Sequence, residues 1–131
     1  MFAKGEFEVN LQPLDNYADG EEGMMLNRMS IDKTFRGDLE ATSRGEMLSV
    51  RTPVKGSAGY VAIEQVNGFL RGKRGTFVLQ HFGAMQGDEN RLILEVSPDS
   101  ATGELMGLTG TMKIIIKDSK HFYEFEYTLP Q

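Results

Sequence analysis

The stretch Glu64-Gln65-Val66-Asn67-Gly68-Phe69-Leu70-Arg71-Gly72-Lys73-Arg74-Gly75-Thr76-Phe77-Val78-Leu79-Gln80-His81 reads as two strands joined by a tight turn. Glycine first in a two-residue loop, Gly72-Lys73, is what a type II′ hairpin turn requires. That turn sets Gly68 opposite Phe77, Val66 opposite Leu79 and Glu64 opposite His81, all on one face, because side chains alternate and paired residues share a side. A four-residue loop from Arg71 to Arg74 gives the same pairs. A three-residue loop would put the apolar sets on opposite faces. The hairpin thus predicts a carboxylate facing an imidazole across an apolar surface. There each is the economical partner for the other, since an unpaired buried charge costs several kcal/mol.

The same test works outward along the chain. A turn at Asp118-Ser119 matches Ile116 with His121, Ile114 with Tyr123 and Met112 with Phe125. A six-residue loop from Ala84 to Glu89 pairs Leu79 with Leu94 and Phe77 with Val96. A longer loop around Pro98 to Gly103 pairs Val96 with Met106. Period-two apolar patterns also mark Phe7, Val9 and Leu11 near the start and Tyr123, Phe125, Tyr127 and Leu129 near the end. Helix competes only at Asp19 to Met29, where Asp19 and Glu22 have capping-box spacing, and at Tyr60 to Leu70. Gly20, Gly23, Gly59 and Gly68 argue against both.

Eight strands result, near 4–12, 24–35, 38–50, 58–70, 74–82, 90–97, 104–117 and 120–129. The 15 glycines are spread as turn punctuation along all 131 residues, without a linker or repeat. The expected fold is all-β: a closed, eight-stranded, antiparallel up-and-down barrel forming one domain over 1–131. Hydrophobic residues at 40% and charged residues at 25% supply a core and exclude a disordered chain. The longest aliphatic or aromatic run, Tyr60-Val61-Ala62-Ile63, is far short of the ~20 residues of a membrane helix or the ~7 of a signal-peptide core. No membrane partner is expected. With 14 basic against 19 acidic residues, the net charge of −5 repels phosphate backbones, so nucleic acid is not expected either. The absence of cysteine removes disulfides, thiolate metal sites and cysteine nucleophiles, and fits a cytoplasmic location.

Within this barrel the inner face from the fourth to the eighth strand carries the candidate site. Glu64 and His81 are its polar end and its candidate acid and base. Tyr60, Phe77, Leu79, Leu94, Met112, Tyr123, Phe125 and Tyr127 are the candidate ligand-binding lining. His81 and His121 are the only histidines, and no familiar metal-ligand spacing, nucleophile elbow, Walker A or G-x-G-x-x-G motif occurs. No metal or cofactor is expected. The eight methionines serve either as core filling or as an adaptable cavity lining. Arg71, Lys73 and Arg74 read as a solvated hairpin tip, with an anion site at the rim as the alternative. Val61, Ile63, Val78, Phe82, Ile93 and Ile115 point outward, with Ile63 opposite Phe82. That strip predicts a homo-oligomer through a face including Ile63, Phe82 and Ile93.

Three ordered motifs carry a resemblance to a known family. They are Glu64 to Gly83; Ser97-Pro98-Asp99-Ser100-Ala101-Thr102-Gly103-Glu104-Leu105-Met106-Gly107-Leu108-Thr109-Gly110; and the ending His121-Phe122-Tyr123-Glu124-Phe125-Glu126-Tyr127-Thr128-Leu129. Together they resemble a bacterial family called domain of unknown function 3224, over nearly the whole chain. Asp99 and Ala101 stand where that family's loop usually has glycines. The resemblance implies an eight-stranded antiparallel barrel like that of allene oxide cyclase, an enzyme acting on a fatty-acid epoxide in an apolar cavity. Carrying its reaction over would be fold analogy alone. The residues themselves give three readings: a barrel binding a small apolar or amphipathic molecule in its lumen, a cofactor-free isomerase or cyclase using Glu64 and His81, and a filled structural or interaction barrel.

Overall fold

A computed structural model describes residues 1–130. Eight strands follow in order: β1 (Phe2–Leu14), β2 (Met25–Gly37), β3 (Leu39–Arg51), β4 (Ser57–Leu70), β5 (Lys73–Gln86), β6 (Glu89–Val96), β7 (Thr109–Lys117) and β8 (Lys120–Thr128). Each pairs antiparallel with the next, and β8 returns to β1, closing the barrel. Closure leaves less free edge than an open sheet of this size would expose. The expected architecture is the one observed.

Two hairpins differ from the expected register. In β4–β5 the turn is Arg71-Gly72, both in the left-handed region at φ 47° and 81°, and Leu70 closes it opposite Lys73. This is the type I′ pattern, whose twist matches the flanking strands. Glu64 therefore faces Leu79, His81 faces Ala62, and Ile63 faces Gln80, while Phe82 faces Val61. The slip is two residues, so every side chain keeps its predicted face. Arg71 tolerates a conformation that costs a side-chain-bearing residue about 1 kcal/mol because it is tethered. Its guanidinium donates to the Phe2 carbonyl and to Asp38 Oδ2, and its amide donates to the Asp38 carbonyl at 2.8 Å. It is not a loose basic tip.

In β5–β6 the loop is Gly87-Asp88, with only Gly87 at positive φ (62°), and Gln86 closes it opposite Glu89. Leu79 thus faces Val96 and His81 faces Leu94, instead of the pairs that a six-residue loop implies. The Asp118-Ser119 turn is as expected, with Ile116 opposite His121, Ile114 opposite Tyr123 and Met112 opposite Phe125.

Residues 97–108 are not a strand paired through Met106. They fold as a loop with a 3-10 turn, Gly103–Leu105, and the link between β6 and β7 is reduced to Glu95 opposite Thr111. The loop instead satisfies the free edge of β5. Ser97 N–H donates to the Val78 carbonyl, Thr102 N–H to the Thr76 carbonyl, and Val78 N–H to Ser100 Oγ. Asp99 adopts φ 58°, the conformation a glycine would take without strain. Ala101, Leu105 and Leu108 turn inward and are buried, whereas Met106 is 69% exposed.

That loop closes one end of the barrel, and the interior there is solid. Phe77 stacks on Phe125 and Phe125 on Tyr127, at 5.9 and 5.3 Å between ring centroids. Tyr123 meets Phe35 edge-on, accepts a hydrogen bond from the Leu39 amide at 2.9 Å and donates to the Arg36 carbonyl. The other end, where the β1–β2, β3–β4, β5–β6 and β7–β8 connections lie, is open. There several apolar inward-facing positions lose their cover: Leu11, Leu92 and Ile116 are 40%, 41% and 67% exposed, alongside the polar Asn27 and Ser49. No helix among the described residues is long and apolar enough to cross a membrane.

Candidate functional site

Between the solid half and the open mouth lies a layer of polar side chains. Lys33 sits on β2 between Ile31 and Phe35, and Ser43 stands opposite it on β3. Glu64 comes from β4 and His81 from β5. All four point inward by strand parity, and all four are buried.

Glu64 is the centre, with 0% exposure. Its Oε1 accepts from Ser43 Oγ at 2.7 Å, and its Oε2 accepts from Lys33 Nζ at 2.8 Å and His81 Nε2 at 2.5 Å. Glu64 and His81 therefore meet along a diagonal of the β4–β5 ladder, a longer span that two extended side chains bridge. Burial acts to raise the Glu64 pKa. The hydrogen bond from His81 and the positive charge of Lys33 together outweigh it and hold the carboxyl at about 2, against the usual 4.5. The Lys33 ammonium is further accommodated over the Phe7 and Phe35 rings, 4.9 and 5.8 Å from their centroids. Among the described residues, every buried side-chain nitrogen and oxygen has a hydrogen-bond partner.

A carboxylate only accepts, so the short contact requires the proton on His81 Nε2. The lone pair of a neutral imidazole then lies on Nδ1, which faces the Tyr60 hydroxyl at 3.4 Å. That distance is long for an O–H···N bond, so the pair is loosely held. Tyr60 is half-buried on the mouth side of the layer, and burial, together with the Glu64 charge, pushes its phenol pKa up. Its ring lies against Gly83, directly opposite on β5, where a Cβ would run into it. The arrangement is a carboxylate-oriented imidazole with a phenol beside its outer nitrogen, on the side of the layer that faces the less covered end of the barrel.

Of the expected site residues, Tyr60, Glu64 and His81 come together here. Phe77, Leu79, Leu94, Met112, Tyr123, Phe125 and Tyr127 do not surround a lumen. They pack against one another in the closed half as core. His121 is half-buried on β8 against the Phe7 ring, 5.2 Å between centroids. Lys33 and Ser43 were not anticipated. The signal for Lys33 is its parity with Ile31 and Phe35, which puts a lysine on an apolar face.

A family model described as "Protein of unknown function (DUF3224)" matches residues 3–127. The chain belongs to that family. A DUF3224 protein of unknown function from Shewanella oneidensis MR-1, known from a crystal structure, is 57% identical, with a TM-score of 0.97, covering 100% of this chain and 98% of that one. No curated protein matches the chain. For this DUF3224 member the comparisons therefore give family and architecture, and the chemistry rests on the residues above.

Proposed function

We propose that the barrel binds a small apolar or amphipathic molecule at its open end, with the polar group of the ligand on Tyr60 Oη and His81 Nδ1. The carrying observation is the asymmetry of the inner face. Apolar inward positions are sealed at one end and uncovered at the other, immediately beyond a satisfied ionic layer. Pockets of this kind combine an apolar lining with a few convergent polar groups. Melting-temperature shifts against a panel of amphipathic molecules test it, because a ligand at a hundredfold excess over Kd adds about 2.7 kcal/mol. Binding that vanishes in Leu92→Glu, an exposed mouth position, supports the reading. Indifference of every ligand to that change overturns it.

A second reading is favoured by the His81–Tyr60 pair: a cofactor-free isomerase or cyclase. His81 Nδ1 would be the base and Tyr60 the acid. Glu64, being sealed from the mouth, would orient the imidazole without touching substrate. The third reading, a filled structural barrel, is supported by the packed closed half, and it predicts no ligand at all.

We also infer that a second copy of the chain covers the outer strip. Leu48, Val61, Phe82 and Ile93 are neighbours in consecutive ladders, with Ile63 beside them, and each is roughly half exposed. A contiguous exposed apolar strip of this kind marks a contact surface. A cysteine-free chain is in keeping with the cytoplasm as its compartment.

A further inference from the structure

Resting on the ligand reading above, we propose that the group bound at His81 and Tyr60 is a weak acid, held as its anion with one proton taken up by His81. Lys33 and Glu64 cancel, and an imidazole carrying only the Nε2 proton that its contact with Glu64 uses adds nothing, so that form of the layer holds no net charge. An anion placed beside Nδ1 would add an uncompensated charge close to Glu64 in a poorly solvated space. Protonating Nδ1 restores neutrality and gives the imidazolium two acceptors, Glu64 on Nε2 and the ligand on Nδ1.

The same proton frees Tyr60. Once Nδ1 carries hydrogen it no longer accepts from the phenol, and the Tyr60 O–H is released to donate to the second oxygen of the anion. A carboxylate thus receives two donors from two adjacent side chains. A ligand cation finds no comparable partner, because the Glu64 oxygens are already taken by Ser43, Lys33 and His81. The groups facing His81 are Glu64 and Tyr60 from β4, Lys33 across the lumen from β2, and the uncharged Leu94 from β6. Arg28 and Glu46 pair with each other, exposed, outside this layer. In the binding step the acid O–H bond breaks and an Nδ1–H bond forms. When the acid arrives already ionised, the proton comes from the buffer. The ligand class is a small monocarboxylic acid, or a comparably weak acid, on an apolar chain or ring.

Titration calorimetry with octanoate, octan-1-ol and octylamine separates the head groups on one tail. In two buffers of different ionisation enthalpy, octanoate binding should take up about one proton. His81→Gln should abolish the proton uptake and weaken octanoate at least tenfold. Tyr60→Phe, at a half-exposed position that leaves the ionic layer intact, should weaken octanoate severalfold while keeping the uptake. The proton count on the unaltered protein needs no variant to fold. Octanol binding as tightly as octanoate without proton exchange, or octylamine binding best, overturns the weak-acid assignment and leaves the ligand reading standing. Failure of all three probes to bind overturns both.

Discussion

His81 Nε2 lies 2.5 Å from Glu64 Oε2 although the two residues are not partners in the β4–β5 ladder. The diagonal leaves Glu64 room for Ser43 and Lys33 on its other lone pairs. A direct pair would tie one imidazole to one carboxylate, whereas the diagonal makes Glu64 the hub of four strands, β2 to β5.

The hub predicts strong coupling. Glu64→Leu leaves Lys33 charged and buried without a counterion and should cost about 3–5 kcal/mol in urea unfolding. Lys33→Met should cost less, because Glu64 keeps Ser43 and His81 as donors. The combined Lys33→Met, Glu64→Leu variant should recover much of either loss, because an apolar pair of similar volume needs no desolvation. Strict additivity of the two changes would contradict the coupling.

Acid stability follows with a definite sign. The folded Glu64 pKa, about 2, lies below the ordinary 4.5. Its contribution is therefore complete above pH 4.5 and lost as pH falls from 4.5 towards 2, roughly 3 kcal/mol in all. Denaturant midpoints measured from pH 7 to pH 2 should show this loss. The Lys33→Met, Glu64→Leu variant should show a shallower acid slope than the parent.

How far this was legible in the sequence differs between elements. Period-two patterns and glycine spacing located all eight strands and the closed order, and parity put Glu64 and His81 on one face. The hairpin register was off by two because Gly72 invites the first loop position. The structure instead places Arg71 there, paid for by contacts with Phe2 and Asp38 that are remote in sequence. Residues 104–108 alternate like a strand, yet Gly103 and Gly107 at φ 65° and 85° turn the chain away. Which half of the barrel is filled depends on that loop, so the aromatic lining read as a ligand surface became core.

Gly83→Ala should disturb the site selectively. A methyl group there collides with the Tyr60 ring, so the phenol must leave Nδ1. The expected cost is about 1–3 kcal/mol, with ligand-induced melting shifts reduced more than in a core variant of equal stability such as Val66→Ala. Equal reductions in both would contradict a special role for the Tyr60 position.

The outer strip makes a separate prediction. Analytical ultracentrifugation should find the protein dimeric or larger at micromolar concentration. Phe82→Lys or Ile93→Lys should yield monomers with unfolding midpoints within about 1 kcal/mol of the parent monomer, as usual for surface changes. A monomeric parent would remove the interface.

Which nitrogen of His81 is held by Glu64, and which is left toward Tyr60, decides the chemistry of the site. Long-range proton–nitrogen correlation spectra of histidine-labelled protein at pH 8 read this directly. The structure predicts that His81 carries a strongly downfield, slowly exchanging proton on Nε2. A proton on Nδ1 with Nε2 bare, or an Nε2 proton in fast exchange with water, would contradict it.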